Sequence, residues 1–238
     1  MTPPVFECAE AATADVVVLG GAEGRHAADV RRLRTGEQVD LVDGAGVLAR
    51  GVVAAVRRGE LTVEVRERIR VPRPSPRLVA VQALAKGGRD EDAVESMTEV
   101  GVDEVLGWTA ARSVARWTDR TLARWIATSR AAAKQSRRAW WPQVAGPVST
   151  PEVAERCASA ALAVVLHESA SDPLSDRDFP SSGEVVVVIG PEGGLTDEEL
   201  EVLSSTGAQR VRLGAEVLRS STAGVAALSV VCSRTRWS

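Results

Sequence analysis

Three short stretches carry residue types able to bind and transform a small molecule, and each follows an apolar run. Val185–Ile189 runs into Gly190-Pro191-Glu192-Gly193-Gly194. Leu162–Leu166 runs into His167-Glu168. Arg210–Leu213 runs into Gly214-Ala215-Glu216-Val217-Leu218-Arg219-Ser220-Ser221-Thr222-Ala223. The glycine loop is no phosphate cradle: it has neither G-x-x-x-x-G-K-[ST] nor G-x-G-x-x-G. Asp197, Glu198 and Glu199 follow it, and carboxylates at that place repel phosphate. A neutral or cationic ligand held by backbone groups is the better match. The third stretch mixes apolar Leu213, Val217 and Leu218 with the hydroxyls of Ser220, Ser221 and Thr222, which suits an adenine ring between apolar walls and backbone. Taken alone, the glycine loop reads equally well as an ordinary βα turn; the third stretch tips the balance toward a site.

The flanking elements must position these loops. A Val/Ile run bounded by a breaker predicts a strand buried on both faces of a parallel sheet. Thr196 predicts an N-cap, with Glu199 closing a capping box and the acidic first turn matching the helix dipole. Strands at Leu78–Leu84, Val102–Trp108, Leu162–Leu166, Val185–Gly190 and Arg210–Leu213 alternate with helices. The helices are expected at Asp90–Val100, Asp119–Arg137, Pro151–Ala160, from Asp197, and at Arg219–Val231. This alternation predicts an α/β domain with a parallel sheet and helices on both faces. Ligands of such sheets sit past the carboxyl ends of the strands, so adjacent strands would bring the three loops into one pocket.

Residues 1–72 read differently. Val16–Leu19, Gln38–Val42, Val47–Val56 and Leu61–Ile69 are short strands, Asp43-Gly44 is a hairpin turn, and Glu23–Leu33 is expected to be a helix. Short strands joined by glycine turns suggest a small β-barrel. The alternate prolines of Val71–Arg77 forbid helix and place a domain boundary there. Two domains, 1–72 and 73–238, are therefore expected.

A net charge of −3 gives no global sign of nucleic-acid binding, so any such site must be a local patch. One candidate is the stretch Arg112–Arg138, where Arg112, Arg116, Arg120, Arg124, Arg130, Lys134, Arg137 and Arg138 stand against Asp119 alone. Arg116, Arg120 and Arg124 recur every four residues and would share a helix face. Trp117, Trp125, Trp140 and Trp141 interleave with them. Arg for phosphate and Trp for unpaired bases make an RNA surface, although a solvated helix with its tryptophans packed inward shows the same pattern. Arg25 and Arg32 belong to a second basic cluster in the first domain, where carboxylates are nearly as numerous. Cys8, Cys157 and Cys232 are odd in number and unpaired in spacing, which points to free thiols in a reducing cytoplasm and to no metal site. No apolar run approaches a membrane span.

Gly190-Pro191-Glu192-Gly193-Gly194 followed by Leu213-Gly-x-x-Val-Leu-Arg-Ser-x-Thr-Ala resembles the paired signature of the RsmE family, SPOUT-superfamily methyltransferases of 16S ribosomal RNA. His26–Gly36 with Arg32 and then Asp43-Gly44 is similar to that family's N-terminal PUA-like barrel. Lys86 with Glu99-Val100-Gly101-Val102, Arg112-Ser113-Val114, and Gln135-Ser136-x-Arg138 with Pro142 are similar to its later segments. The resemblance implies a PUA-like β-barrel followed by a SPOUT domain whose trefoil knot, about 162–233, grips S-adenosyl-L-methionine. It implies a homodimer acting on N3 of a uridine near the decoding site of the 30S subunit. Leu166, His167, Glu168, Ile189, Gly190, Pro191, Glu192, Gly193, Gly194, Leu213, Gly214, Val217, Leu218 and Thr222 would line the cofactor. Arg25, Arg32, Arg112, Arg116, Arg120, Arg124 and Arg138 would meet RNA. Two positions depart from the family pattern: Glu216 where a basic residue is usual, and Ser221 where an acid is frequent.

Such a reaction needs no metal or covalent nucleophile; its main demand is alignment. Uridine N3 must lose a proton, and a cation near the base oxygens would stabilise the anion that develops. Arg219 is the candidate for that role, with a salt-bridged or phosphate-binding arginine as the equal alternative. Glu192 is the candidate proton acceptor, or else fixes its own loop. His167 is an acid–base candidate, but a cofactor-lining role suits it better. A ribose 2′-hydroxyl target, or an RNA-binding assembly factor without catalysis, are the rival readings.

Overall fold

In the computed structural model, residues 2–85 and 88–237 are described; Lys86 lies outside them. The chain divides into two compact units, one spanning residues 1–73 and 133–141, the other 74–132 and 142–238.

The first unit is a five-stranded sheet. β1 (Val5–Glu7), β2 (Val16–Leu19), β3 (Gln38–Val42), β4 (Val47–Arg57) and β5 (Glu60–Arg70) lie in the order β1-β3-β4-β5-β2. β1 runs parallel to β3, and the other pairs are antiparallel. Alternate residues Val17, Leu19, Val39, Leu41, Val53, Leu61 and Val63 close over Phe6 in one core. The hairpin expected at Asp43-Gly44 is present. Asp43 Oδ1 accepts from the amides of Ala45 and Val47 at 2.8 and 2.9 Å, and Gly44 takes φ +72°.

The helix expected at Glu23–Leu33 is shorter. α1 covers Gly21–Arg25, and His26–Val30 widens into a π-type turn. Gly24 explains the close seat of α1, because a Cβ there would stand 2.3 Å from the Leu19 carbonyl and 2.4 Å from that of Gly59. The segment Ala133–Trp141 completes this unit. Lys134 Nζ pairs with Glu23 at 2.6 Å, and Arg137 Nη2 with Asp40 at 2.6 Å. Trp140 lies against Gly46 and donates from Nε1 to the Val71 carbonyl at 2.8 Å, and Trp141 lies against Gly44.

The second unit alternates strand and helix. It comprises β6 (Arg77–Ala83), α2 (Arg89–Val100), β7 (Glu104–Trp108), α3 (Asp119–Gln135, in this unit as far as Ala132), β8 (Gln143–Val148) and α4 (Thr150–Ser159). β9 (Leu162–Leu166), β10 (Glu184–Ile189), α5 (Asp197–Ser205), β11 (Gln209–Val211) and α6 (Ser220–Thr235) follow. The sheet is parallel throughout, in the order β11-β9-β10-β6-β7-β8. β10 sits in its interior and shows why its sequence is unbroken Val and Ile. Val185, Val187 and Ile189 enter the core beneath α2 and α6, while Val186 and Val188 enter the core beneath α4 and α5. Each such burial stabilises by about 1.5–3 kcal/mol.

Two strands escaped the sequence reading. β1 is only three residues long. β8 carries Gly146 and Pro147, breakers tolerated because it is the edge strand. α3 begins at Asp119, so Arg116 lies in the preceding loop and does not share the face of Arg120 and Arg124. The four tryptophans of this stretch pack against the protein, with Trp125 buried and Trp117, Trp140 and Trp141 half-buried. Trp125 is fully buried and donates to Asp90 Oδ2 at 2.8 Å, and Trp117 meets it edge-on at 5.1 Å while lying over Gly107. The basic stretch is also partly neutralised from outside, as Arg124 pairs with Glu91 at 3.0 Å.

Candidate active site

β11, β9 and β10 are neighbours in the sheet, so the loops leaving their carboxyl ends converge. They enclose a cleft of about 530 Å³. Leu166, His167 and Glu168 form one wall, and Ile189–Gly194 form the floor loop. Leu213, Gly214, Val217 and Leu218 form the opposite wall, and both Glu192 and Arg219 face the cleft. Thr222 alone of the expected cofactor-lining residues is not part of the lining; it lies in the first turn of α6, its amide donating to the Arg219 carbonyl at 2.8 Å.

The glycine loop is shaped from both ends. Gly194 takes φ +71°, and its amide donates to the Pro191 carbonyl at 2.9 Å, which closes a tight turn. Next, Thr196 caps α5 as expected. Its Oγ1 accepts from the Glu199 amide at 3.2 Å, and Glu199 Oε2 accepts from the Thr196 amide at 3.0 Å. At the other end the Gly190 carbonyl accepts from Ser220 Oγ at 2.8 Å, and Ser220 Oγ accepts in turn from Gln82 Nε2 at 2.9 Å. β6, β10 and α6 are thereby joined beneath the cleft.

A neighbour unforeseen at this site is the loop after β7. Arg112 Nη1 donates to the carbonyls of Gly193 and Leu195, each at 3.2 Å. Glu199 Oε1 accepts from the Ala111 amide at 2.8 Å. In the sequence Arg112 belongs to a basic stretch, and nothing in its spacing from residue 193 signals this contact. Arg212 also lines the cleft, and its backbone holds the 172–174 segment through Asp172 and Leu174.

Electrostatically the cleft is mixed. Arg112, Arg212 and Arg219 stand with Glu168, Glu192 and Glu216 in its lining. The Glu198 carboxyl is held below its ordinary range by its own backbone amide, then by the Thr196 hydroxyl, with the Arg112 charge adding. Asp172 is likewise lowered, first by the Ser171 hydroxyl and then by Arg177. His167 Nδ1 lies 2.9 Å from Ser169 Oγ, which fixes the ring. The third loop is open: Val217 is 76% and Leu218 38% exposed, an uncovered apolar lip beside exposed backbone. Among the described residues no group of three or more His, Cys, Asp or Glu side chains is placed to hold a metal, and no helix is long and apolar enough to cross a membrane.

Comparison with known proteins places this geometry. An RNA methyltransferase domain model matches residues 72–232, and an RNA methyltransferase PUA domain model matches residues 19–66. The ribosomal RNA small subunit methyltransferase E of Mycobacterium bovis is 47% identical, over 94% of this chain and 89% of its own length. The Bacillus subtilis protein of that name is 29% identical over 90% and 89%. Among solved structures, ribosomal RNA small subunit methyltransferase E from Neisseria gonorrhoeae, bound to S-adenosyl methionine, matches with a TM-score of 0.89 at 25% identity, covering 98% of both chains. A Legionella pneumophila methyltransferase in complex with the same cofactor matches with a TM-score of 0.82 at 27% identity, covering 99% of this chain and 95% of its own. By both sequence and fold, the chain belongs to the RsmE family of ribosomal RNA small subunit methyltransferases.

Proposed function

We propose that this protein transfers a methyl group from S-adenosyl-L-methionine to N3 of a uridine in 16S rRNA of the 30S subunit, uridine 1498 in standard rRNA numbering. The observation that carries this reading is the convergence of three adjacent strand ends on one cleft, with the Gly190–Gly194 loop as its floor. On this reading the enzyme is cytoplasmic and works as a homodimer, with a trefoil knot in the C-terminal segment and a PUA-like barrel as an RNA-binding accessory. The uncovered lip of Val217 and Leu218 supports a partner subunit, since exposed apolar residues beside a ligand cleft favour a covering surface. The open end of the cleft supports a flipped base as substrate.

The residues present fit the cofactor. Leu166, Leu213, Val217 and Leu218 supply apolar walls for a purine, and the loops supply backbone polar groups. When bound, S-adenosylmethionine supplies a methyl already activated as a sulfonium. The chain's own task is to bind, orient and move one proton. Arg219, at the mouth of α6 and lining the cleft, would stabilise negative charge on the uracil oxygens as the N3 proton leaves. Glu192, exposed in the floor loop, would accept that proton. RNA is met by the exposed arginines of the 112–124 stretch and, in the first unit, by Arg25 and Arg32; Arg138 is half-buried and contributes less.

Glu216 lies in the cleft lining, so the departure from the family pattern falls inside the site. That placement keeps a non-catalytic assembly factor as the alternative. Calorimetric titration with S-adenosylmethionine, on wild type and on Gly193→Val, decides between them. A Cβ at Gly193 would stand 3.1 Å from Arg112 Cβ and 3.3 Å from its carbonyl oxygen, so a larger side chain must displace the loop. Saturable binding lost in the variant supports the enzyme. Absence of binding by the folded wild type, alone and with 30S particles, favours the assembly factor.

A further inference from the structure

The loop after β7 and the glycine loop grip each other in both directions. Arg112 reaches out and donates to the carbonyls of Gly193 and Leu195. Glu199, at the start of α5, reaches back and accepts from the Ala111 amide. The backbones are also in contact, as the 3.1 Å and 3.3 Å approaches at Gly193 show. Both carbonyl contacts use Nη1 of Arg112. Among the described residues none accepts from its Nε or Nη2, and the side chain is exposed at the cleft. A guanidinium is a rigid fork of five donors, so fixing one edge on the carbonyls fixes the direction of the others. The same loop carries Arg116 outward, and Arg120 follows in the first turn of α3.

We propose that Arg112 is a positioning residue that couples the two ligands: cofactor in the cleft fixes the glycine-loop carbonyls, these orient the guanidinium, and its free edge then takes an rRNA phosphate. This rests on the methyltransferase reading above and adds to it a binding order of preference: each ligand tightens the other. The physical source is shared ordering. A long side chain and two loops lose their freedom once, and the second ligand finds them already held. Linkage makes the effect reciprocal, with the same factor seen from either ligand.

The test is equilibrium dialysis of S-adenosylhomocysteine, a probe that cannot turn over, against the protein with and without 30S particles lacking the methyl mark. For wild type the Kd is expected to tighten by about fivefold or more at 30S saturation, the lower end of ordinary coupling. In Arg112→Gln the ratio is expected to fall below about twofold, with the fold kept because the side chain is exposed. Arg112→Lys, which keeps one donor but loses the fork, is expected between the two. Arg116→Gln shares the loop but has no bond to the glycine loop among the described residues; it is expected to weaken 30S binding while keeping the wild-type ratio. A wild-type ratio of one, or an Arg112→Gln ratio equal to that of wild type, overturns the coupling. Failure of the wild type to bind S-adenosylhomocysteine in either condition overturns the methyltransferase reading and the coupling with it, so the two failures are distinguishable.

Discussion

The Ser220 hydroxyl donates to the Gly190 carbonyl at 2.8 Å, joining the first residue of α6 to the first residue of the glycine loop. Ser220 is buried and also accepts from Gln82, so its replacement removes the side-chain donor to the Gly190 carbonyl and one of the two bonds of Gln82 Nε2, which keeps the Ala83 carbonyl. Ser220→Ala is expected to lower stability by about 1–3 kcal/mol and to weaken S-adenosylmethionine binding by about tenfold. Chemical denaturation and calorimetry on the same preparation measure both. Unchanged affinity with reduced stability would confine Ser220 to a structural role.

Arg236 closes the C-terminus onto the sheet. Its guanidinium bonds the Pro76 and Gly101 carbonyls and Asp103, with the arginine side chain 9% and the aspartate 13% exposed. Arg236→Met is expected to cost about 3–5 kcal/mol, because Asp103 keeps a shielded charge without its main partner. The shift in denaturation midpoint checks this, and a loss below about 1 kcal/mol would contradict it.

The thiols should be silent in the native protein. Burial pushes Cys157 up to about 11 and raises Cys8, and Cys232 is buried as well. An acid whose folded pKa is raised favours folding below the unfolded value. For Cys157 that contribution is lost as pH rises from about 9 through about 11. Ellman's reagent at pH 8 is therefore expected to titrate no thiol until denaturant is added; rapid native reaction would refute the burial.

Arg120, which has no carboxylate partner among the described residues, and Arg124 separate an unpaired from a neutralised cation on one helix. Arg124 pairs with Glu91 at 3.0 Å. Arg120→Gln is expected to reduce the salt slope of 30S binding by about one and Arg124→Gln by less. Equal losses would show that the pair opens on RNA.

Much of the fold and of the cleft is legible in the sequence because the signals are local. The Val185–Ile189 run, the Thr196-Glu199 box and the Asp43-Gly44 turn each follow from residues within five positions of one another, and the structure repeats them. What stayed hidden depends on distant contacts. No local pattern signals that Arg112 would bond residues 193 and 195, or that 133–141 would complete the first unit. A Trp beside arginines reads alike whether it stacks on bases or covers a glycine, and the glycines that Trp117 and Trp140 cover, Gly107 and Gly46, are remote in sequence. β8 hid behind Gly146 and Pro147, whose usual meaning is a turn and whose edge position is a tertiary fact.

The most direct measurement is nucleoside mass spectrometry of 16S rRNA after incubating 30S particles lacking the mark with the protein and methyl-labelled S-adenosylmethionine. Label is expected in 3-methyluridine, dependent on Arg219 and on an intact Gly193. Label in a 2′-O-methylated nucleoside would contradict the base target, and absence of label with a cofactor-competent protein would contradict the enzyme.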